Sequence, residues 1–173
     1  MSNLARQGDD HPEAAAKHLD DAAALLAARR YDGAGYLAGY VLECAFKTII
    51  ILEEIAQTAG LTPTTLAADL KTGGPAINAG LESGMKKALK LKHDLDKLSK
   101  EALRLASLSG AATAKYAPST AAGAIYAGAL TESIRYHKPG SVGATVASQW
   151  HIEAKIVYES TVAEMRRDGV VTF

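Results

Sequence analysis

The sequence predicts an all-α protein, a bundle of about five helices. Three observations lead there. Apolar residues recur at three- and four-residue spacing in one stretch after another. No stretch alternates convincingly enough for a strand. And residues 31–55, YDGAGYLAGYVLECAFKTIIILEEI, are apolar around most of a helical circumference, as a helix at the centre of a fold must be.

In chain order, residues 1–12 are polar, with Gly8-Asp9-Asp10, and read as a mobile arm ahead of a helical domain over 13–169. Pro12 opens a first helix to about Ala28, with Ala15, Leu19, Ala22, Ala23 and Leu26 on one face. Arg29 and Arg30 suit its C-terminal end, where the helix dipole favours cations. A short link at Tyr31-Asp32 makes the first two helices antiparallel neighbours. Asp32 is expected to cap the second helix, whose run of about 24 residues spans roughly 36 Å. Leu37, Val41, Cys44, Ala45 and Ile49 form its broad apolar face, widened by Leu42, Phe46 and Ile50. Gly35 and Gly39 suit the close approach of another helix.

After Ile55 the pattern loosens. Residues 58–92 are expected to form an irregular insertion between the second and third main helices. It holds a short helix from Thr62-Pro63 through Leu70, a break at Lys71-Thr-Gly-Gly-Pro75, and a helix carrying Ile77, Leu81, Met85, Ala88 and Leu89, weakened by Gly80 and Gly84. Asp94 caps the next helix, with Leu95, Leu98, Ala102, Leu105 and Leu108 as its apolar stripe. Residues 114–118 are a connector. Residues 121–136 read as helical, with Ile125, Ala129 and Ile134 inward. Lys138-Pro-Gly-Ser141 is a turn. The last helix, from about 143 to 168, carries Val146, Trp150, Ala154, Val157, Val162 and Met165, and Gly169 ends it.

At 173 residues the chain is one domain with room for a real core. Nineteen basic residues against nineteen acidic ones give a net charge of zero, so overall charge does not argue for a nucleic-acid or membrane surface. The middle third is the only basic part: residues 61–115 hold 9 basic and 5 acidic side chains. Its lysines Lys86, Lys87, Lys90, Lys92, Lys97 and Lys100, with Arg104, read as a solvated face or a weak polyanion-binding one. A single cysteine, Cys44, excludes an internal disulfide and reads as a small buried hydrophobe. No basic start leads into a hydrophobic run, and no stretch reaches the roughly 18 apolar residues of a membrane span, so a soluble cytoplasmic protein with no membrane association is expected.

One stripe of the central helix is polar. Tyr36, Tyr40, Glu43 and Lys47 stand at i, i+4, i+7 and i+11, within about 60° of one another on the wheel. Glu43 and Lys47 have the favoured acid-before-base order. A structural account makes them a packing ion pair beside two packed phenols. A functional account makes Lys47 a phosphate partner held in place by Glu43. A second polar cluster, Arg135-Tyr136-His137-Lys138, offers a bidentate phosphate contact, a stacking face and a titratable donor, or simply cations at a helix C-terminus.

Residues 34–47, AGYLAGYVLECAFK, resemble the second helix of HEPN domains, whose pattern is A-x-Y-x6-E-x3-K. KHDLDKL at 92–98 is similar to the H-D-L-x-x-L segment opening a later helix in such domains, and IRY at 134–136 to the R-Y that ends the helix after it. The resemblance covers roughly residues 14–167. It implies a helical bundle, usually dimeric, that binds nucleotides or RNA or acts as a metal-independent ribonuclease. It also implies a context beside a nucleotidyltransferase partner, or in toxin–antitoxin and defence systems. Ribonuclease members carry R-x4–6-H near the start of the last helix. Here Arg135 and His137 are separated by one residue, and His151 is too far away. The only literal match, Arg6 to His11, lies in the arm and is of the kind chance supplies. The expectation is a homodimeric, non-catalytic nucleotide-, RNA- or partner-binding module. The alternatives are a degenerate ribonuclease using Arg135 and His137, and a structural oligomerisation domain.

Other chemistries have no support. There is no H-x-x-x-H, C-x-x-C or acidic triplet, so no metal or cofactor is proposed. Lys71-Thr-Gly-Gly-Pro75 is not a phosphate loop, and Gly80-Leu-Glu-Ser-Gly84 is not a nucleophile elbow. His93, just before the capping Asp94, is expected to order its loop.

Overall fold

The apolar segment 31–55 forms the long helix α2, and the other helices are arranged around it. The computed structural model describes residues 1–6, 8–118 and 138–173. In order, these form α1 (His11–Ala27), α2 (Tyr31–Ala59), α3 (Leu66–Thr72), α4 (Pro75–Lys90), α5 (Leu95–Ala106), a 3₁₀ turn (Ala114–Tyr116), α6 (Ala144–Ser160) and α7 (Val162–Arg167). The protein is all-α; among the described residues the only β pairing is an isolated bridge between Arg6 and Asp9. The expected helix over 121–136, with Ile125, Ala129 and Ile134, lies outside the described residues.

Helices α1, α4, α5 and α6 all pack on α2. Every residue from 41 to 53 is buried, polar ones included. Thr48 is satisfied locally, its hydroxyl donating to the Cys44 carbonyl at 2.8 Å. Glu53 accepts from the Thr113 amide (3.0 Å) and hydroxyl (2.8 Å), which ties the loop after α5 to the core. An 18-residue window of α2 is apolar enough to cross a membrane, contrary to the sequence expectation, but 83% of it is buried inside the bundle. Its apolar surface is used by its own neighbours.

Glycines set how closely those neighbours approach. A Cβ on Gly35 would lie 2.8 Å from the Trp150 ring of α6. Gly80 and Gly84 of α4, read from sequence as weak points, are the contact positions of that helix: added Cβ atoms would stand 2.6 Å from Ile55 Cα and 2.8 Å from Ile51 Cα. The segment 58–92 is thus built around a 16-residue helix lying along α2.

Several local expectations change. Asp32 does not cap α2. Its carboxylate accepts instead from the amides of Gly140 (2.5 Å) and Val142 (2.7 Å), fastening the turn after Lys138 to the start of the helix. The α1–α2 link needs Arg29 in the left-handed region (φ 57°), and α2 runs past Ile55 to Ala59, where Gly60 in the same region ends it. Helix α3 starts at Leu66, because Thr62 and Thr65 form a hydroxyl-bonded turn first. The last helix breaks at Thr161, whose hydroxyl bonds the Val157 carbonyl (2.6 Å). Val146, expected inward, is 44% exposed. Asp94 does cap α5, accepting from the Lys97 amide at 3.1 Å.

The first residues are not a loose arm. Leu4 is 1% exposed. Asn3 brackets the C-terminal tail: its side-chain amide donates to the Val170 carbonyl (2.8 Å), and its side-chain oxygen accepts from the Thr172 amide (3.0 Å). Asp10 caps α1, which therefore begins at His11 and not at Pro12. Burial of Leu4 and of Val170 and Val171 supplies the apolar contact that a polar-looking sequence concealed.

Candidate functional site

Antiparallel α1 and α2 fix the register of their facing side chains. With the chain reversing at Ala28–Arg30, His11 comes opposite Lys47 and His18 opposite Tyr40. His11 feels the Lys47 charge directly, and the His18 and Tyr40 rings are 5.5 Å apart. The loop between α4 and α5 closes the third side with Lys92 and His93. Together they frame a cleft of about 390 Å³.

Of the predicted stripe, Tyr40, Glu43 and Lys47 line this cleft, and Tyr36 reaches it only through its contact with Tyr40. Lys47 Nζ donates to Glu43 Oε1 at 2.7 Å, with the two side chains only 5% and 8% exposed. His93 Nδ1 lies 2.8 Å from Glu43 Oε2 and 3.0 Å from Oε1. His93 therefore does more than order its loop: it shares the carboxylate with Lys47. Tyr36 and Tyr40 meet edge to face, ring centroids 4.9 Å apart, and their hydroxyls are 2.9 Å from each other. The Tyr40 ring also meets His18 and, at 6.0 Å, His93.

Lys47 and Glu43 cannot both be desolvated at this depth without each other. Burial, reinforced by the Lys47 charge, holds the His11 pKa below the ordinary imidazole value. Burial and Lys17 do the same for His18. Both are thus neutral near pH 7. His11 Nε2 and His18 Nδ1 are buried and have no hydrogen-bond partner among the described residues. An unpaired buried polar atom costs about 1–3 kcal/mol, so the two rings are a local cost carried by the packing of α1.

Cys44 borders the cleft but is 5% exposed, and burial, then the neighbouring Glu43 charge, push its thiol up to about 12. It is a packing residue. Native protein is expected to resist thiol alkylation near neutral pH and to be labelled fully once denatured; rapid labelling of the native form would show an accessible thiolate.

Of the second predicted cluster, Arg135, Tyr136 and His137 lie outside the described residues. Lys138 is exposed, and the turn it opens is fastened to Asp32. Asp32 and Lys47 are about 22 Å apart along the helix axis at its normal rise, so Lys138 belongs to the Tyr36 end of the stripe.

The basic middle of the chain is largely neutralised. Lys86 pairs with Glu82, Lys97 with Asp94, Lys100 with Asp96 and Arg104 with Glu101. Lys87 bridges Glu54 (2.6 Å) and Glu101 (3.0 Å), joining α4 to α2 and α5. That supports the solvated-face account. The Arg104 hydrogen bond, helped by Lys87, lowers the Glu101 pKa to about 2 against its own desolvation. Its folded value is depressed, so its stabilisation is present above about pH 4.5 and is lost as pH falls toward about 2. Glu101→Gln should flatten the acid limb of a stability–pH curve measured by urea unfolding; an unchanged limb would remove Glu101 from the account.

Sequence reasoning missed His11 and His18. In sequence His11 falls in the polar N-terminal segment and His18 stands on a helix with no motif around it. The register of the two-helix hairpin about its short link is the signal that places both beside the stripe. Among the described residues no group of three or more His, Cys, Asp or Glu side chains is arranged to hold a metal ion. No family model, curated protein or solved structure matches the chain.

Proposed function

We propose that the protein is a HEPN-like, non-catalytic binding module that takes a nucleotide or RNA in the α1–α2 cleft. The observation that carries this reading is the convergence of a buried Lys47–Glu43 pair with the Tyr40, His18 and His93 rings around one open cleft. A pocket of that volume suits a small ligand, with cation and carboxylate to orient a polar end and aromatic edges for a base. The resemblance of residues 34–47 to the HEPN second helix supports the same assignment, because Tyr36, Glu43 and Lys47 are its pattern positions and all belong to this stripe.

On that resemblance the module works as a cytoplasmic homodimer, beside a nucleotidyltransferase or within a toxin–antitoxin or defence system. The outer face of α6, where Ile152 and Ile156 are 51% and 37% exposed, offers apolar surface that pairing would bury.

The test starts from the absorbance of the purified protein. An excess at 260 nm over 280 nm, with nucleotide or RNA recovered on extraction, is the expected result. Titration with AMP and with a short single-stranded RNA follows. Lys47→Ala should weaken binding at least about tenfold, or roughly 1.4 kcal/mol. Lys100→Ala, an exposed residue away from the cleft, should not. Failure of a folded, ligand-free protein to bind either probe would refute the reading. RNA cleavage that persists in chelator would overturn its non-catalytic part.

A further inference from the structure

Among the described residues, the buried side-chain polar atoms without a hydrogen-bond partner are all imidazole nitrogens: His11 Nε2, His18 Nδ1 and His151 Nε2. All three belong to the seat of one helix. His11 and His18 stand on α1 itself. His151 stands on α6, with its ring hydrogen-bonded to the Leu19 backbone of α1. That seat is thin in other respects. The residues of α1 that are buried outright are Pro12, Ala15 and Ala22, while Leu19, Leu25 and Leu26 are only partly buried. Lys17 pairs with Asp21 of the same helix, and among the described residues no ion pair joins α1 to α2 or α6. Helix α4, by contrast, is bridged to α2 and α5 through Lys87.

We propose that α1 is an acid-releasable wall of the cleft: protonation of His11, His18 and His151 lifts it from α2 and α6 while the rest of the bundle stays folded. The reason is a mismatch between the imidazolium and its site. Once charged, the ring carries N–H on both nitrogens. Here one nitrogen of each ring is sealed off without an acceptor, and a charge so placed costs more than the neutral ring does. Opening α1 lets solvent reach all three rings. Segments with few buried apolar contacts open locally, at free energies well below that of global unfolding. No covalent bond changes, and the device does not depend on what the cleft binds.

The surroundings give the sign. Desolvation is the largest influence on each of the three rings, and it holds each pKa below the ordinary imidazole value. Lys47 of α2 adds to this at His11, against Asp9 and Asp10 of the N-terminal segment and Glu43 of α2. Lys17 adds to it at His18, whose ring meets Tyr40, against Asp21 and Glu43. At His151 the Leu19 backbone favours the charged ring and Lys155 opposes it. From the α4–α5 loop, Lys92 and His93 line the cleft, His93 bonded to Glu43. A histidine whose folded value is depressed contributes stability that is present above its unfolded value of about 6.5 and is lost as pH falls below it. Glu101, which ties α5 to α4, titrates only at about 2. Helix α1 therefore gives way first.

The experiment is amide hydrogen exchange of the full chain, read by mass spectrometry and corrected for the intrinsic pH dependence, between about pH 7.5 and about pH 5. The expected result is loss of protection in α1 as pH falls, while α4 and α5 keep theirs. The opening equilibrium of α1 should rise by up to about tenfold per pH unit for each ring that charges on opening. His11→Gln, His18→Gln and His151→Gln, each shown folded by its thermal transition, should each reduce that slope, and the triple variant should abolish it. Protection of α1 that ignores pH overturns the proposal with no variant needed. Loss that proceeds equally in α1, α4 and α5 overturns it too, because the event would then be global. A slope that survives in the triple variant does the same, by assigning the protons to other groups.

Discussion

Glu43→Ala is expected to destabilise the protein by about 3–5 kcal/mol, the range found when one partner of a buried ion pair is removed. The cause is specific. Lys47 is 5% exposed at its side chain, and its ammonium would lose the one carboxylate within ion-pair distance among the described residues. His93 would lose the same acceptor. The double replacement Glu43→Met with Lys47→Met removes both charges and fills similar volume. It should sit much closer to the parent than the single variant does, because the attraction within such a pair roughly offsets its desolvation. Urea unfolding of the three proteins reads this directly. A single variant within about 1 kcal/mol of the parent would mean that the pair is effectively solvated. The same comparison separates the structural and functional accounts of the stripe: the double variant should fold and still lose ligand.

The second large effect is at Gly80 and Gly84. In an exposed helix, Gly→Ala gains up to about 1 kcal/mol. Here the sign should reverse, with a loss of about 1–3 kcal/mol or more for each change. The atoms that a new methyl would strike belong to the backbone of α2: Ile55 Cα at 2.6 Å from position 80, and Ile51 Cα at 2.8 Å from position 84. A side chain in that place would rotate away; a helix backbone moves only as a unit. Gly143→Ala is a control without a clash, at an ordinary φ of −77° with nothing within 4 Å of its added Cβ; as the N-cap of α6 it carries only the modest cost of alanine at that position, about 1 kcal/mol or less. Thermal unfolding should show the Gly80 and Gly84 variants well below the parent and the Gly143 variant much closer to it. If all three moved together, the close approach of α4 to α2 would be disproved.

Much of the fold was legible because helical periodicity is a local property. Leu95, Leu98, Ala102 and Leu105 repeat along one face of α5 and are buried. Trp150, Ala154 and Val157 do the same on α6. The errors have a common origin. Asp32 has the chemistry of an N-cap, yet its carboxylate is taken by amides 108 and 110 residues away. Residues 1–12 look polar, yet Leu4 finds a buried place and Asn3 finds the opposite terminus. Gly80 and Gly84 lower helix propensity, which is a local cost, while what they gain is the contact with α2. Each error treated as local a residue whose role is set by a partner distant in sequence.

The candidate site divides along the same line. The sequence by itself determined the all-α class, the central position of α2, and the alignment of Tyr36, Tyr40, Glu43 and Lys47 on one stripe, since all of these follow from the helical repeat of a single segment. Only the tertiary structure decided what the stripe faces. The hairpin register brought His11 and His18 onto it from α1, and the loop after α4 brought His93 to the Glu43 carboxylate. Packing along α2 likewise decided that the Glu43–Lys47 pair is buried and not a surface decoration. Periodicity states which residues of one helix share a face. It carries no information about which face of another helix meets them, because that depends on shape and burial summed over the whole bundle.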